Sequence, residues 1–159
     1  MTVERIVHIV AGMTDASTLV YVLNGPNLNL LGSREPEVYG HDTLDDIAMM
    51  LEDRAATLGL TIDLRQSNHE GHLIDWLHEA GSREIRAVIL NAGALTHTSI
   101  ALHDAIKGVP VPVIEVHLSN PHAREAFRHK SWIAPVARAT IAGLGPLGYV
   151  LALDAAATF

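Results

Sequence analysis

The chain alternates short apolar runs with longer amphipathic segments, and this alternation predicts the order of strands and helices. Strand-like runs occupy residues 18–24, 60–65, 86–91, 111–117 and 136–140. Short apolar runs are typical of strands buried on both faces of a parallel sheet. Apolar residues at helical spacing predict helices over 44–58, 70–80, 99–107 and 146–157.

Capping residues refine these boundaries. Thr43 is suited to the N-cap of the first helix, and Gly59 is suited to its end. Pro121 follows Asn120, which predicts a further helix opening there, since proline is favoured in a first helical turn. Strands that alternate with helices indicate a parallel sheet covered on both faces.

The predicted fold class is therefore α/β, a flavodoxin-like three-layer αβα sandwich with a parallel five-stranded sheet. We assign residues 18–159 to a single domain and residues 1–17 to an N-terminal extension. The apolar part of that extension is compatible with an edge strand. Met13 is an alternative start of the natural chain.

Composition narrows the classes of function. The chain has 159 residues, of which 48% are apolar and 18% charged, as in globular proteins. The absence of cysteine excludes a disulfide framework, a thiolate nucleophile and a cysteine-based metal site. A net charge of −7 argues against nucleic-acid binding, and no apolar run has the length of a membrane span. We expect a cytoplasmic protein.

Polar side chains follow four of the predicted strands. In open α/β sheets, ligands bind beyond the carboxyl ends of the strands. The residues placed there are Asn24, Asn27, Arg34 and Tyr39, then 66–70, then Asn91 and 96–99, then Glu115, His117, Ser119 and Asn120. Surface loops are often polar, but the density at consecutive strand ends favours a binding site.

Arg34 and Tyr39 lie in one glycine-bracketed segment, residues 32–40, which suits a lid. A free tyrosine has a pKa of about 10 and is a poor base at neutral pH. A neighbouring arginine favours the phenolate form. The alternative is a surface tyrosine that packs on an arginine side chain.

Glu115 and His117 are two residues apart in a predicted strand, so they face the same side. The carboxylate can then hold the imidazole in one tautomer and keep it protonated, which makes it a competent acid. The alternative is a purely structural pair. His97 and Asn91 add donors for a hydroxylated, anionic ligand.

Other site classes lack their motifs. The ten histidines include no His-Glu-x-x-His, so we expect no metal. The glycine cluster at 143–148 is interrupted by proline and comes too late for dinucleotide binding. Neither a P-loop nor a Gly-x-Ser-x-Gly elbow is present.

Four separated motifs occur in register: residues 24–32 with 34–36 and 39–40, residues 65–71, residues 90–93 with 96–99, and residues 115–120 with 124–128. Together they resemble type II 3-dehydroquinate dehydratases from about residue 18 to the end. The resemblance implies reversible loss of water from 3-dehydroquinate, through an enolate, to give 3-dehydroshikimate in the shikimate pathway. It also implies the flavodoxin-like fold, no cofactor, and a homododecamer built from trimers.

The resemblance assigns roles to individual positions. Tyr39 is expected to be the general base, His117 the general acid with Glu115 as its partner, Arg34 the lid residue that supports the tyrosinate, and Asn27 the amide that places a water or the enolate oxygen. The expected substrate contacts are Asn91, His97, Leu118, Ser119 and Arg128, with Asp104 contributed by a neighbouring subunit.

Two alternatives from other classes stay open. A non-catalytic binding or assembly module of the same fold would take up the ligand without turning it over. A flavin-binding relative would need a phosphate loop after the first strand, and the sequence has none there.

Overall fold

The computed structural model describes the backbone of residues 5–8 and all of residues 18–33 and 40–159. In these ranges the strands are β1 (Arg5–His8), β2 (Leu19–Asn24), β3 (Thr61–Gln66), β4 (Ala87–Asn91), β5 (Val113–His117) and β6 (Ala139–Ala142). The α-helices are α1 (Leu44–Leu58), α2 (Glu70–Ser82), α3 (Ile100–Gly108) and α4 (Leu147–Ala156). Short 3-10 helices lie at Leu28–Leu30, Gly93–His97, Pro121–Ala123 and Ala126–Arg128.

One sheet organises the chain, in the strand order β1-β3-β2-β4-β5-β6. The last five of these strands are mutually parallel, in the order that defines flavodoxin-like folds. The predicted fold class is therefore confirmed. The sheet also has a sixth strand, because β1 pairs antiparallel with β3 at one edge. The boundary of the extension at residue 17 lies outside the described residues and stays a prediction.

Two helices cover each face of the sheet. Helices α1 and α4 pack on one face around Val22 and Ile89, and helices α2 and α3 pack on the other around Leu23 and Leu90. Side chains alternate between these faces along every strand. No helix in the described ranges is long and apolar enough to cross a membrane.

The boundaries of α1 follow from its capping residues, as predicted. The Thr43 side chain accepts a hydrogen bond from the Asp46 backbone N–H, and the Asp46 carboxylate accepts one from the Thr43 backbone N–H. This reciprocal pair satisfies two donors that the first turn leaves unpaired. Gly59 ends the helix in the left-handed region, at φ 67°.

The prediction of a helix after Asn120 is wrong. Pro121 opens only a single 3-10 turn, and a second short turn follows it. The Arg124 carbonyl, which would serve a continuing helix, instead accepts a hydrogen bond from His129 Nε2. Such tertiary contacts override the helical preference of the sequence. Among the described residues, no α-helix therefore covers the carboxyl end of β5.

Candidate active site

A cleft lies at the carboxyl ends of β2, β4 and β5. Its lining residues are Pro26, Asn27, Leu28, Leu31, Asn91, Gly93, Ala94, His97, His117, Leu118, Ser119, Pro121, Arg124 and Arg128. Among the described residues, this lining includes two arginines and two histidines but no aspartate or glutamate. In a chain of net charge −7, the cleft is thus a local site for an anion.

Glu115 and His117 form the pair that the strand period predicts. The imidazole Nε2 lies 2.9 Å from Glu115 Oε1, and the carboxylate is fully buried. Because an ionised carboxylate only accepts hydrogen bonds, Nε2 carries the hydrogen. The other ring nitrogen, Nδ1, is then the one available to exchange a proton with a ligand.

Three hydroxyl groups surround the Glu115 carboxylate. Thr96 and Ser131 donate to Oε1 over 3.1 and 2.8 Å, and Thr140 donates to Oε2 over 3.0 Å. Burial by itself raises the pKa of Glu115, but the hydrogen bonds from His117, Ser131 and Thr140 bring it below its ordinary value. The pair therefore contains a carboxylate that stays ionised although it is buried.

Arg124 and Arg128 bring two guanidinium groups into the cleft from the loop that follows β5. Their side chains are only 15% and 20% exposed. Arg128 Nε donates to the Glu125 carboxylate over 2.9 Å, and Arg124 Nη1 lies 3.5 Å from Ser119 Oγ. Guanidinium groups held in this way suit a carboxylate or a set of hydroxyls on a ligand.

His97 reaches the cleft from the 3-10 helix after β4. Its Nδ1 lies 2.8 Å from the Lys130 carbonyl, which can only accept, so Nδ1 carries the hydrogen. Nε2 is the ring atom left for a ligand. The Trp132 backbone N–H donates to the Thr96 carbonyl over 2.8 Å, so the loop after β5 is tied to this helix.

Asn27 has a left-handed backbone, with φ 67° and ψ −1°, at the start of the loop after β2. Asn68 Oδ1 accepts from the Asn27 backbone N–H over 2.9 Å, which holds this conformation. Gly25 allows the loop to lie against the neighbouring one, since a Cβ there would lie 2.5 Å from the Ala92 carbonyl oxygen. Non-glycine residues in this conformation are concentrated at functional sites.

The structure brings together most of the side chains singled out in the sequence. Those that line the cleft are Asn27, Asn91, His97, His117, Leu118, Ser119 and Arg128. Glu115 lies directly behind His117. Asp104 is exposed on α3 and is not among the lining residues. Arg34 and Tyr39, and with them the predicted lid, lie outside the described residues.

Arg124 is the lining side chain of clearest chemical interest that the sequence did not single out for the site. Its signal was present, since it follows Asn120 and Pro121 at the ligand edge of the sheet. Local patterning alone did not distinguish it from the other polar side chains of this segment. Among the described residues, no group of three or more acidic or histidine side chains could hold a metal ion.

Comparison with known proteins gives a consistent set of relatives. The model of the family described as "Dehydroquinase class II" matches residues 18–157. A protein of Ralstonia nicotianae named 3-dehydroquinate dehydratase 2 is 64% identical over 142 residues, 87% of this chain and 92% of that protein. A 3-dehydroquinate dehydratase of Chelativorans sp. is 64% identical over 139 residues, 87% of this chain and 95% of that protein.

Solved structures agree with the sequence relatives. The type II dehydroquinase of Butyrivibrio crossotus superposes with a TM-score of 0.86 at 39% identity, over 87% of this chain and 97% of that one. The type II dehydroquinase of Propionibacterium acnes gives 0.85 at 44% identity, over 92% of this chain and 100% of that one.

Proposed function

We propose a catalytic mechanism on the premise that this chain belongs to the class II dehydroquinase family, whose model and relatives match it over most of its length. The chain is accordingly a hydro-lyase that acts on 3-dehydroquinate in the shikimate pathway. The steps below assign the reaction to side chains of this sequence.

Substrate binding depends on the positive lining of the cleft. We assign the substrate's carboxylate and hydroxyl oxygens to the side chains of Arg128, Asn91 and His97, and to the backbone of Leu118 and Ser119. The partly buried guanidinium groups, and the lack of acidic lining residues in the part of the chain that the structure describes, support this assignment. Arg124 adds a second cation on the same side.

Proton removal is assigned to Tyr39, with Arg34 holding the phenol in its anionic form. The assignment of this pair comes from the family resemblance. It is supported by the position of Leu31, which lines the cleft and precedes Arg34 by three residues. The phenolate takes the proton from the carbon next to the ketone, and the electron pair moves onto the ketone oxygen. The result is an enolate.

Asn27 is assigned to the enolate. Negative charge that develops on oxygen is stabilised by preorganised donors, and the side-chain amide of Asn27 is such a donor in the cleft, directly or through a water. The Asn68 hydrogen bond to the Asn27 backbone N–H supports this role, because it fixes the backbone from which the side chain projects before substrate arrives.

Loss of water is assigned to His117. As the carbon–oxygen bond of the departing hydroxyl breaks, the Nδ1 proton of the imidazolium goes to that oxygen, which leaves as water. Glu115 stabilises the charged ring and fixes its tautomer through the 2.9 Å bond to Nε2. A proton that passes from Tyr39 to His117 through solvent restores the starting state.

The observation that carries the proposal is the fully buried Glu115, with a pKa held below its ordinary value, bound to a histidine that lines the same cleft as Arg124 and Arg128. A purely structural ion pair gains nothing from opening onto such a cleft. This arrangement favours a proton donor for an anionic substrate.

Ultraviolet absorbance tests the function, since the product is a conjugated enone and the substrate is not. Addition of 3-dehydroquinate to the purified protein should produce new absorbance in proportion to enzyme concentration. Calorimetric binding without new absorbance would instead identify a non-catalytic binding module. A yellow purified protein would identify the flavin-binding alternative.

We propose further that the chain works in the cytoplasm as a homo-oligomer, a dodecamer built from trimers, in which Asp104 serves a neighbour's cleft. Asp104 is exposed and does not line its own cleft. Leu147 and Leu151 are 53% and 38% exposed on α4, which suits contact with another copy. Sedimentation of a monomer alone at working concentration would contradict the assembly, and cell fractionation tests the location.

A further inference from the structure

Tyr149 is a fully buried tyrosine of α4 whose hydroxyl lies between two amides at the ends of neighbouring strands. The hydroxyl donates to Asn24 Oδ1 over 2.6 Å and accepts from Asn91 Nδ2 over 2.8 Å. Asn24 and Asn91 are paired in the register of β2 and β4. Side-chain alternation places both on the α4 side of the sheet. One phenol thus connects two central strand ends.

Backbone groups at both ends fix the direction of these hydrogen bonds. Asn24 Nδ2 donates to the Arg65 carbonyl over 3.2 Å, so Asn24 presents its oxygen to the phenol. Asn91 Oδ1 accepts from the Gly93 backbone N–H over 3.2 Å, so Asn91 presents its nitrogen to the phenol. Reversing either amide would set donor against donor or acceptor against acceptor.

The phenol has a single hydroxyl hydrogen, which it donates in the hydrogen bond to Asn24. Toward Asn91, the phenol oxygen can therefore only accept a hydrogen bond. Asn91 Nδ2 has two hydrogens and uses one on Tyr149. Because Asn91 lines the cleft, its second N–H is the one available to a ligand. A chain of hydrogen bonds runs from the Arg65 carbonyl through the side chains of Asn24, Tyr149 and Asn91 to the Gly93 backbone N–H. This chain therefore selects one orientation of the Asn91 amide.

We propose that Tyr149 is a positioning residue that holds the Asn91 amide with a donor turned toward substrate oxygen. This inference rests on the proposed function, because it takes the cleft to be the substrate site. Tyr149 touches no reacting atom and acts through Asn91 alone. Burial raises the pKa of Tyr149 well above its ordinary range, although the Asn91 bond lowers it in part, so the phenol stays protonated at every working pH.

Tyr149→Phe removes the hydroxyl and leaves the ring. We expect kcat/KM for 3-dehydroquinate to fall about tenfold, mainly through KM, since the lost donor geometry affects bound substrate and transition state alike. Tyr21→Phe is the matched control, because Tyr21 is equally buried and its hydroxyl donates to Glu79 on the other face of the sheet. The control should lose stability without a change in KM.

A double-substitution cycle separates positioning from general damage. If Tyr149 acts through Asn91, adding Tyr149→Phe to Asn91→Ala should cause no further loss of kcat/KM. If Tyr149→Phe does not fold, Asn24→Ala frees the phenol hydrogen to turn toward Asn91, and it should raise KM in the same way.

Either of two results would overturn the inference: a Tyr149→Phe kcat/KM within twofold of wild type, or an equal further loss in the Asn91→Ala background. Failure of the function itself is distinguishable, since the wild-type protein would then form no product. The variants are therefore compared with a wild-type protein that has first been shown to form product.

Discussion

At the scale of single residues, Glu115 sets the electrostatics of the cleft, because it is a buried anion in contact with the proposed acid. Its carboxylate would be costly in this position without donors. Those donors come from three places in the chain: Thr96 after β4, Ser131 in the loop after β5, and Thr140 in β6. The charge is therefore maintained by the fold as a whole.

The pairing of Glu115 with His117 could be predicted from the sequence, whereas its three hydroxyl partners could not. A spacing of two in a strand is a local property, and it sets which side chains share a face. Thr140 meets Glu115 only through the register of β5 and β6, which local patterning leaves open. For the same reason, nothing local pointed to Tyr149 as the partner of Asn91.

Thr140→Val tests the hydroxyl donors. The substitution removes a hydrogen bond to the ionised Glu115 carboxylate. The pKa of Glu115 should therefore rise, and its carboxylate should become neutral at a higher pH than in the wild type. The pH below which protonation of Glu115 reduces kcat/KM should then move upward. The measurement is the pH dependence of initial rates for wild type and variant.

Thr57→Val is the control for that profile, since the Thr57 hydroxyl is bonded within α1 to the Asp53 carbonyl. Its profile should match that of wild type. An unchanged profile for Thr140→Val would show that this hydroxyl has no part in keeping Glu115 ionised.

At the scale of elements, periodicity and caps predicted most helices and strands, and failure came where tertiary contacts compete with propensity. The segment after Asn120 has helix-forming residues, but Arg124 and Arg128 turn into the cleft while Ser131 reaches Glu115. The departure from local preference thus coincides with the proposed function.

A second element-scale feature joins α2 to the sheet. Glu79 accepts hydrogen bonds from Arg65 on β3, from Arg83 and from Tyr21. The Arg65 side chain is only 5% exposed, and Asp63 binds it as well. The Arg65 hydrogen bond is the main reason that the pKa of Glu79 falls from 4.5 to about 2, with burial opposing it.

Glu79→Gln should lower the free energy of unfolding by about 1–2 kcal/mol at pH 7, an amount reduced for the partial exposure of Glu79. Because the folded-state pKa is depressed, this contribution is complete above pH 4.5 and is lost as the pH falls toward 2. Urea denaturation at pH 7 and pH 3 measures both values, and the difference from wild type should shrink at pH 3.

Glu84→Gln is the control, since Glu84 is an exposed glutamate just after the end of α2. It should leave the unfolding free energy unchanged at both pH values. A Glu79→Gln difference that stays constant from pH 7 to pH 3 would contradict the role of the ionised carboxylate.

At the scale of the whole molecule, the sheet order and the position of the cleft could be predicted, because parallel strands with helical crossovers allow few arrangements. Local patterning could not predict the proposed contact between copies, since such a contact has no periodic signature in one chain. Asp104 illustrates this: its expected role in the site requires a neighbour, and within one chain it is exposed on α3.

Mixing two variants tests this proposed sharing of sites. Asp104→Ala and Tyr39→Phe should each be nearly inactive when alone. If Asp104 serves a neighbour's cleft, oligomers reassembled from equal amounts should regain activity at about a quarter of their sites, which combine an intact cleft with an intact neighbour. Mixed oligomers that form but stay inactive would place Asp104 outside the site.

The central claim is that a phenolate takes a proton from carbon before an imidazolium releases water. Hydrogen–deuterium exchange at the carbon next to the ketone, followed by NMR of 3-dehydroquinate in D2O, separates these steps. His117→Ala should lose about 10²- to 10⁴-fold in product formation yet still exchange this hydrogen faster than the enzyme-free solution. Tyr39→Phe should lose both hydrogen exchange and product formation, whereas Tyr21→Phe should keep both. Hydrogen exchange by Tyr39→Phe at the wild-type rate would contradict the account.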